Sequence, residues 1–288
     1  MNSNHSLPLK NISDTAFWVA TYRAIESERP DALFSDPYAK LLTGQHGKDI
    51  VNRLGKEARS SWFLVARTVI LDNWILKLIE TEKIDTVLNL AAGLDTRAYR
   101  LKLPANLRWY DVDLPDILSF KENTLKEQKP ACDLEYVKLD LSKINERNAF
   151  FSRVNETAKN TLVISEGFLM YLTPPLAAAL ANDLAKYSSF KFWLAELLGP
   201  AQLKWIKIKW GKALKSANAE MGFAPQNGAN FFVPHGWTPL TFKPSLLEAI
   251  KIKRAPKVYS LLVFFKICFP SKIMKGLTSA GIALLKKT

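Results

Sequence analysis

A chain of 288 residues that is 48% hydrophobic carries enough apolar side chain for one large core or two modest ones, so length alone leaves the domain count open. Its formal charge of +13 falls entirely in the last third: residues 201–288 hold 15 Lys and Arg against 2 Asp and Glu, while residues 1–200 balance at 25 against 25. Cys132 and Cys268 stand far apart and outside any metal-type spacing, which excludes a disulfide framework, and no apolar run reaches the roughly 20 residues that cross a bilayer.

The early apolar group at 16–20 is soon broken by Arg23, and nothing before it pairs a charged start with a small-residue cleavage site. No signal peptide is expected, and the cytoplasm is the default compartment. The longest late run, 258–265, stops at Lys266. A basic last third attracts an anionic substrate, an anionic membrane or nucleic acid, or is only a solvated lysine-rich surface. The field by itself does not choose.

In chain order, Asp14 stands before an apolar helical pattern of Phe17, Ala20, Tyr22 and Ala24, which predicts a helix capped at its start. Pro30 marks a turn and Pro37 the first turn of a short helix, since proline fixes φ and lacks an amide donor. Over about 59–80, Phe63, Ala66, Val69, Ile70, Trp74 and Leu78 share one face and predict a long core-facing helix that also carries Arg67. From Thr86 short β-rich runs at 86–90, 108–112, 134–139, 161–165 and 190–195 alternate with helical segments at 115–128, 145–154 and 174–186. Such alternation predicts βαβ units and an α/β fold with a mostly parallel sheet covered on both faces. "PLTFKP" and "GIALLKK" are weaker strand candidates that would finish the sheet.

In an open α/β sheet ligands bind beyond the carboxyl ends of the strands. The first run ends in Ala91-Ala92-Gly93-Leu94-Asp95. The second ends in Asp113, 20 residues after Gly93, about the interval at which an acidic residue meets ribose hydroxyls. The third leads to Asp140 and Leu141, the fourth to Glu166 and Gly167. Any one of these acids alone reads as a helix cap or a solvated loop residue. Together they describe an acidic cleft, which a pyrophosphate fits poorly because phosphates need amide donors and positive helix ends. A cationic nucleoside fits it well. S-adenosyl-L-methionine (SAM) is one: its ribose hydroxyls suit Asp113, its adenine amino group suits Asp140, and its ammonium and sulfonium tolerate carboxylates. Without a pyrophosphate, Ala91 is acceptable where a dinucleotide site has glycine.

The segments "SDTAFWVATYRAIESERPDALFSDPYAKLL", "VLNLAAGLDTRAYRL", "WYDVDLPDIL", "LDL", "ISEGFLMYL" and "FFVPHGW" stand in an order and spacing that resembles the leucine carboxyl methyltransferase-like group of SAM-dependent O-methyltransferases. The resemblance covers nearly the whole chain from about Asp14, and its D-T-R and S-E-G-x-x-M-Y-L blocks are specific. It implies a seven-stranded, mostly parallel, Rossmann-like class I methyltransferase sheet with helices on both faces. It also implies an N-terminal helical cap over 1–83 and a methyltransferase domain over 84–288 with a lid inserted at about 199–236. By the same resemblance Arg67 would meet the SAM carboxylate, and Ala91, Gly93 and Asp95 would form the first loop. Asp113 would hold the ribose, Asp140 with the amide of Leu141 the adenine, and Glu166 would lie near the methionine amine. Arg23 and Tyr171 would face the substrate. The family usually has glycine at the position of Ala91, so an added methyl is expected to crowd the cofactor tail.

Methyl transfer from a sulfonium is an in-line displacement, for which the protein mainly supplies alignment and exclusion of water. A carboxylate acceptor is already ionised at neutral pH, whereas a hydroxyl needs a general base. Histidines are scarce: His5 lies in the N-terminal tail, His46 in a polar stretch, and His235 in "FFVPHGW" either overhangs the site or is a turn histidine. That leans toward a pre-ionised acceptor, with Arg23 as its anchor. In "LKWIKIKWGKALK" Leu203, Ile206, Trp210, Ala213 and Leu214 gather on one side, while Trp205 and Ile208 fall among the lysines. Such a helix suits a lid, or weak association with an anionic membrane surface. The expected function is methylation of a carboxylate or hydroxyl on a small, amphipathic acceptor. A protein C-terminal carboxylate, or SAM binding without turnover, are the alternatives. No RNA-binding motif is present, so no nucleic-acid partner is expected.

Overall fold

Runs rich in Val, Leu, Ile and Phe on both faces need cover on both, which is what a parallel sheet between helical layers provides. The computed structural model describes residues 14–58, 62–216, 219–264 and 275–288. Strands β1 (Thr86–Leu90), β2 (Arg108–Asp113), β3 (Asp133–Lys138), β4 (Thr161–Ser165), β5 (Phe190–Leu197), β6 (Trp237–Pro244) and β7 (Gly281–Lys287) form one sheet in the order β3-β2-β1-β4-β5-β7-β6. Neighbours from β3 to β5 pair in parallel, and β7 runs antiparallel to both β5 and β6. The two weaker strand candidates are therefore strands, β7 being inserted between β5 and β6.

Three helices precede the sheet: α1 (Asp14–Ser27), α2 (Pro37–Ala58) and α3 (Trp62–Thr81). The helix opened by Pro37 is 22 residues long, not short, although Gly44, Gly47 and Gly55 lower its intrinsic propensity. Packing overrides propensity there. At Gly47 a Cβ would lie 2.3 Å from Thr21 Oγ1 of α1, so the missing side chain is what lets α1 and α2 approach. Between the strands stand α4 (Arg97–Arg100), α5 (Pro115–Leu125), α6 (Ile144–Thr157) and α7 (Pro174–Ala185). After β5 come α8 (Pro200–Ser216) and a 3-10 segment Gly228–His235, and between β6 and β7 lie α9 (Ser245–Lys251) and α10 (Lys257–Phe264).

Alternation along each strand sorts the core into two layers. On one face Val87, Trp109, Leu162, Ile164, Phe192 and Leu194 pack with Ile70, Leu71, Trp74, Ile75 and Leu78 of α3 and with Ile117 of α5. On the other, Leu88, Leu90, Val163, Trp193 and Ala195 pack with Phe150, Phe151 and Val154 of α6 and Leu180 of α7. Ile70, Trp74 and Leu78 of the predicted apolar stripe of α3 are thus core, while Phe63 borders the cavity described below, and this helix of the expected cap is one of the sheet's covering helices. β1 and β4 are buried throughout, which explains why their limits were readable to the residue. β5 runs two residues beyond the expected end and takes in Glu196.

Candidate active site

The sheet order reverses between β1 and β4, and a crevice opens above their carboxyl ends, as the topology of open α/β sheets requires. The chain leaves β1 through Ala91 at φ +54° and Gly93 at φ +50°, both in the left-handed region. For Gly93 that conformation is free, whereas at Ala91 it costs about 1–2 kcal/mol. This backbone strain is distinct from the crowding of the cofactor tail expected at Ala91. Gly93 N–H donates to Asp113 Oδ2 at 2.7 Å, and Leu114 N–H donates to Oδ1 at 2.7 Å. Each oxygen keeps a further lone pair for a ligand hydroxyl. Burial raises the Asp113 carboxyl above its ordinary value. Asp140, after β3, accepts from Ser142 N–H at 2.9 Å, and Ser142 holds its carboxyl below the usual range. Leu141 is buried and its carbonyl accepts from Arg147 Nη1 at 2.7 Å.

Beneath this loop runs a chain of buried charges. Arg97 is 1% exposed, and its backbone N–H and Nη1 reach Asp95, its Nη1 also reaches Glu166 Oε2 at 2.6 Å, and its Nε reaches Asp72 at 2.7 Å. Arg67 lies with Nε 2.7 Å from Glu166 Oε1 and donates from Nη1 to both oxygens of Glu196, which also accepts from Gly167 N–H at 2.7 Å. Asn89 donates to Asp95 and to Asp111, and Asp111 accepts from Trp109 Nε1 and from the fully buried Lys121 Nζ at 2.7 Å. Burial alone would neutralise Asp95 and Glu166, but the arginines, Arg97 first, hold both carboxyls below their ordinary values. Burial likewise disfavours the charged forms of Arg67 and Arg97, and their carboxylate partners reverse that.

Arg23 borders the crevice, but it donates from Nε to Asp36 Oδ2 at 2.8 Å and from Nη2 to Leu94 O at 2.5 Å. These bonds tie α1 to the loop after β1, so the expected anchor does not extend a free fork into the cavity. Tyr171 shares a side-chain hydrogen bond with Thr15, and burial pushes its hydroxyl pKa up. His235 contacts Asn182 of α7 through Nδ1 at 3.0 Å and is not among the cavity's lining residues, so it is the turn histidine. His5 and Cys268 lie outside the described residues, as does the side chain of His46. Cys132 is buried and its thiol is pushed up to about 12.

The crevice continues outward into a cavity of about 1010 Å³. All ten site residues expected from the sequence border it: Arg23, Arg67, Ala91, Gly93, Asp95, Asp113, Asp140, Leu141, Glu166 and Tyr171. Five carboxylates line it, those of Asp95, Asp113, Asp140, Glu166 and Glu196, against the three arginines Arg23, Arg67 and Arg147. That excess of negative charge suits a ligand bearing ammonium and sulfonium groups and not one bearing phosphates. Trp205, expected among the lysines of α8, lines the cavity, whereas Lys204, Lys207 and Ile208 are exposed. The side chains of Trp210 and Ala213 are outside the described set.

Three groups escaped sequence reasoning. Glu196 would have been found by extending the strand-end test to the fifth strand. Arg97 sits inside the D-T-R block, and Asp111 in the middle of a buried strand signalled a buried cation, Lys121. Among the described residues no cluster of His, Cys, Asp and Glu could hold a metal, and no helix is long and apolar enough to cross a membrane.

Residues 16–185 match the leucine carboxyl methyltransferase family. Proteins classed as S-adenosyl-L-methionine-dependent methyltransferases are similar. One from Parafrankia sp. is 35% identical over 195 residues, covering 64% of this chain and 62% of the relative, so the match spans less than two thirds of that protein. One from Saccharopolyspora erythraea is 32% identical over 224 residues, covering 72% of this chain and 77% of the relative. Among solved structures, a protein classed as a methyltransferase from Thermobifida fusca superposes with TM-score 0.54 at 13% identity over 99% of this chain and 97% of its own. A DUF574 family protein from Streptomyces avermitilis gives 0.54 at 12% identity over 94% and 97%. At such identities the likeness is one of fold.

Proposed function

The chain belongs to the leucine carboxyl methyltransferase family, and from that premise we propose that it is a SAM-dependent O-methyltransferase acting on the carboxylate of a small acceptor. When bound, SAM supplies a methyl activated by its sulfonium for in-line displacement. The cleft's own residues are suited to hold it. Asp113 has spare acceptor capacity for ribose hydroxyls, and Asp140 is the acceptor for the adenine amino group. Glu166 and Glu196 lie beside Arg67, so a zwitterionic methionine end meets charges of both signs.

The choice of a carboxylate over a hydroxyl rests on one observation, the lack of a base poised near neutrality. Arg97 and Arg67 keep Glu166 ionised, Arg97 does the same for Asp95, and Ser142 for Asp140. Asp113, which burial raises, has its oxygens bonded to the amides of Gly93 and Leu114 and is assigned to the ribose, Tyr171 is shifted upward by burial, and no described histidine lines the cavity. A general base works best with its pKa near the operating pH. A carboxylate acceptor needs none: it is already ionised at neutral pH, so no side chain of the cavity would have to take a proton from it. Arg23, through Asp36 and Leu94 O, fixes α1 over the loop, and Tyr171 with Thr15 closes the same wall against water.

The test is transfer from methyl-labelled SAM to a panel of carboxylic acids and matched alcohols. The expected product releases its label as methanol in alkali, as an ester does. An alkali-stable methyl ether would contradict the carboxylate assignment, and S-adenosylhomocysteine binding with no transfer to any acceptor would favour binding without turnover.

A further inference from the structure

Among the described residues, the charged side chains that line the cavity come from α1, α3, α6, the ends of β2 and β5 and the loops after β1, β3 and β4, and none comes from α7, α8 or α10. Helix α8 sends Lys204 and Lys207 to solvent and turns Ala201, Trp205, Ile206 and Leu214 to the cavity, together with Gln202, whose amide donates to Gly276 O and accepts from Ser279 Oγ. Facing them are Leu176 and Leu180 of α7 and the pair Trp62 and Tyr259, whose rings lie 5.8 Å apart. Trp205 is 52% exposed and Leu176 50% exposed although both border the cavity. The volume, about 1010 Å³, is at the top of the roughly 300–1,000 Å³ that a single drug-sized ligand occupies. A nucleoside cofactor in the charged half leaves the apolar half for a second molecule.

We infer that this apolar half, between α7, α8 and α10, is an acceptor arm for a hydrocarbon tail, and that the methyl acceptor is a long-chain amphipathic carboxylic acid. This deepens the carboxylate O-methyltransferase reading and rests on it. The acid's head reaches the inner half at the junction near Tyr171, where the cavity changes from charged to apolar. Its tail lies along Ile206, Trp205 and Leu176. The lysines on the outer side of α8 supply a field that draws in the anion but do not line the arm.

The test is calorimetric binding of straight-chain saturated carboxylates, from butanoate to dodecanoate and below their micelle concentrations, to the protein saturated with S-adenosylhomocysteine. Affinity should rise roughly three- to fourfold per added methylene until the arm is full, since each buried methylene removes a similar increment of apolar surface from water. Ile206→Asp should weaken the longest acids by about tenfold or more while leaving S-adenosylhomocysteine affinity unchanged. Lys204→Glu combined with Lys207→Glu should keep the chain-length dependence. Affinity independent of chain length in the unmodified protein would overturn the arm and leave the cofactor reading standing. Loss of all acid binding in the double lysine variant would also overturn it, placing the acids on the outer face. Failure of S-adenosylhomocysteine to bind would remove the enzyme reading and this inference with it.

Discussion

Beneath the inner end of the cavity Arg97 is 1% exposed and bound to Asp72, Asp95 and Glu166, whereas at the outer end Trp205, in a wall whose described lining residues carry no charge, is 52% exposed. The inner half is held by directional contacts in which each buried charge fixes the next, an arrangement suited to one ligand of fixed shape. Contacts in the outer half are non-directional and tolerate change in what they enclose. The residues that match the family, 16–185, end with α7, so they include most of the charged half and stop before β5, α8 and α10. The family match thus takes in Trp62, Leu176 and Leu180 of the apolar half as well, and the relative from Saccharopolyspora erythraea aligns over 224 residues, more than that match spans.

The comparison breaks most directly at Arg97. Replacing it with Leu takes from Asp95 the arginine it is bonded to and leaves Asp72 with Arg100 alone and Glu166 with Arg67 alone, and should destabilise the protein by about 3–5 kcal/mol in urea unfolding. A change under about 1 kcal/mol would mean that the inner half does not depend on its ion pairs. The same contrast predicts an acid response. The folded-state pKa values of Asp95 and Glu166 lie below their ordinary 3.8 and 4.5, so the stability they contribute is present above that range and is lost as pH falls through the lower folded values. Asp113, raised by burial, acts in the opposite direction. Stability should fall below about pH 4 in the unmodified protein, and one that did not would contradict the assigned pairing. The smallest effect is at Ala91. Ala91→Gly removes left-handed strain of about 1–2 kcal/mol but adds about 0.4–1 kcal/mol of unfolded-state entropy, so a gain of about 0.5–1 kcal/mol is expected in the denaturation midpoint. A loss would show that the alanine methyl packs usefully.

Much of this was legible because parallel strands buried on both faces leave uninterrupted apolar runs. β1 and β4 follow their runs to the residue, and the carboxyl ends of β1, β2, β3 and β4 bring Asp95, Asp113, Asp140 and Glu166 to one cavity. Legibility failed where a residue's role is set by a partner far along the chain. Lys121 on α5 resembles any surface lysine until Asp111 is placed beneath it, and Arg23 resembles a substrate anchor until Asp36 and Leu94 O take its donors. The wheel for α8 put Trp205 with the lysines because a helical projection does not know that a cavity, and not solvent, lies on that side. The length of α2 was hidden by its glycines, one of which is there for close packing and not for a turn.

The central claim is that the acidic crevice above β1 and β4 binds a cationic nucleoside, and calorimetric titration with SAM, S-adenosylhomocysteine and NAD tests it most directly. Micromolar binding of the two SAM-type ligands, none of NAD, and a roughly tenfold to hundredfold loss in Asp113→Ala are predicted, the loss being that of hydrogen bonds to a charged group. Binding of NAD, or SAM binding that ignores Asp113→Ala, would contradict it.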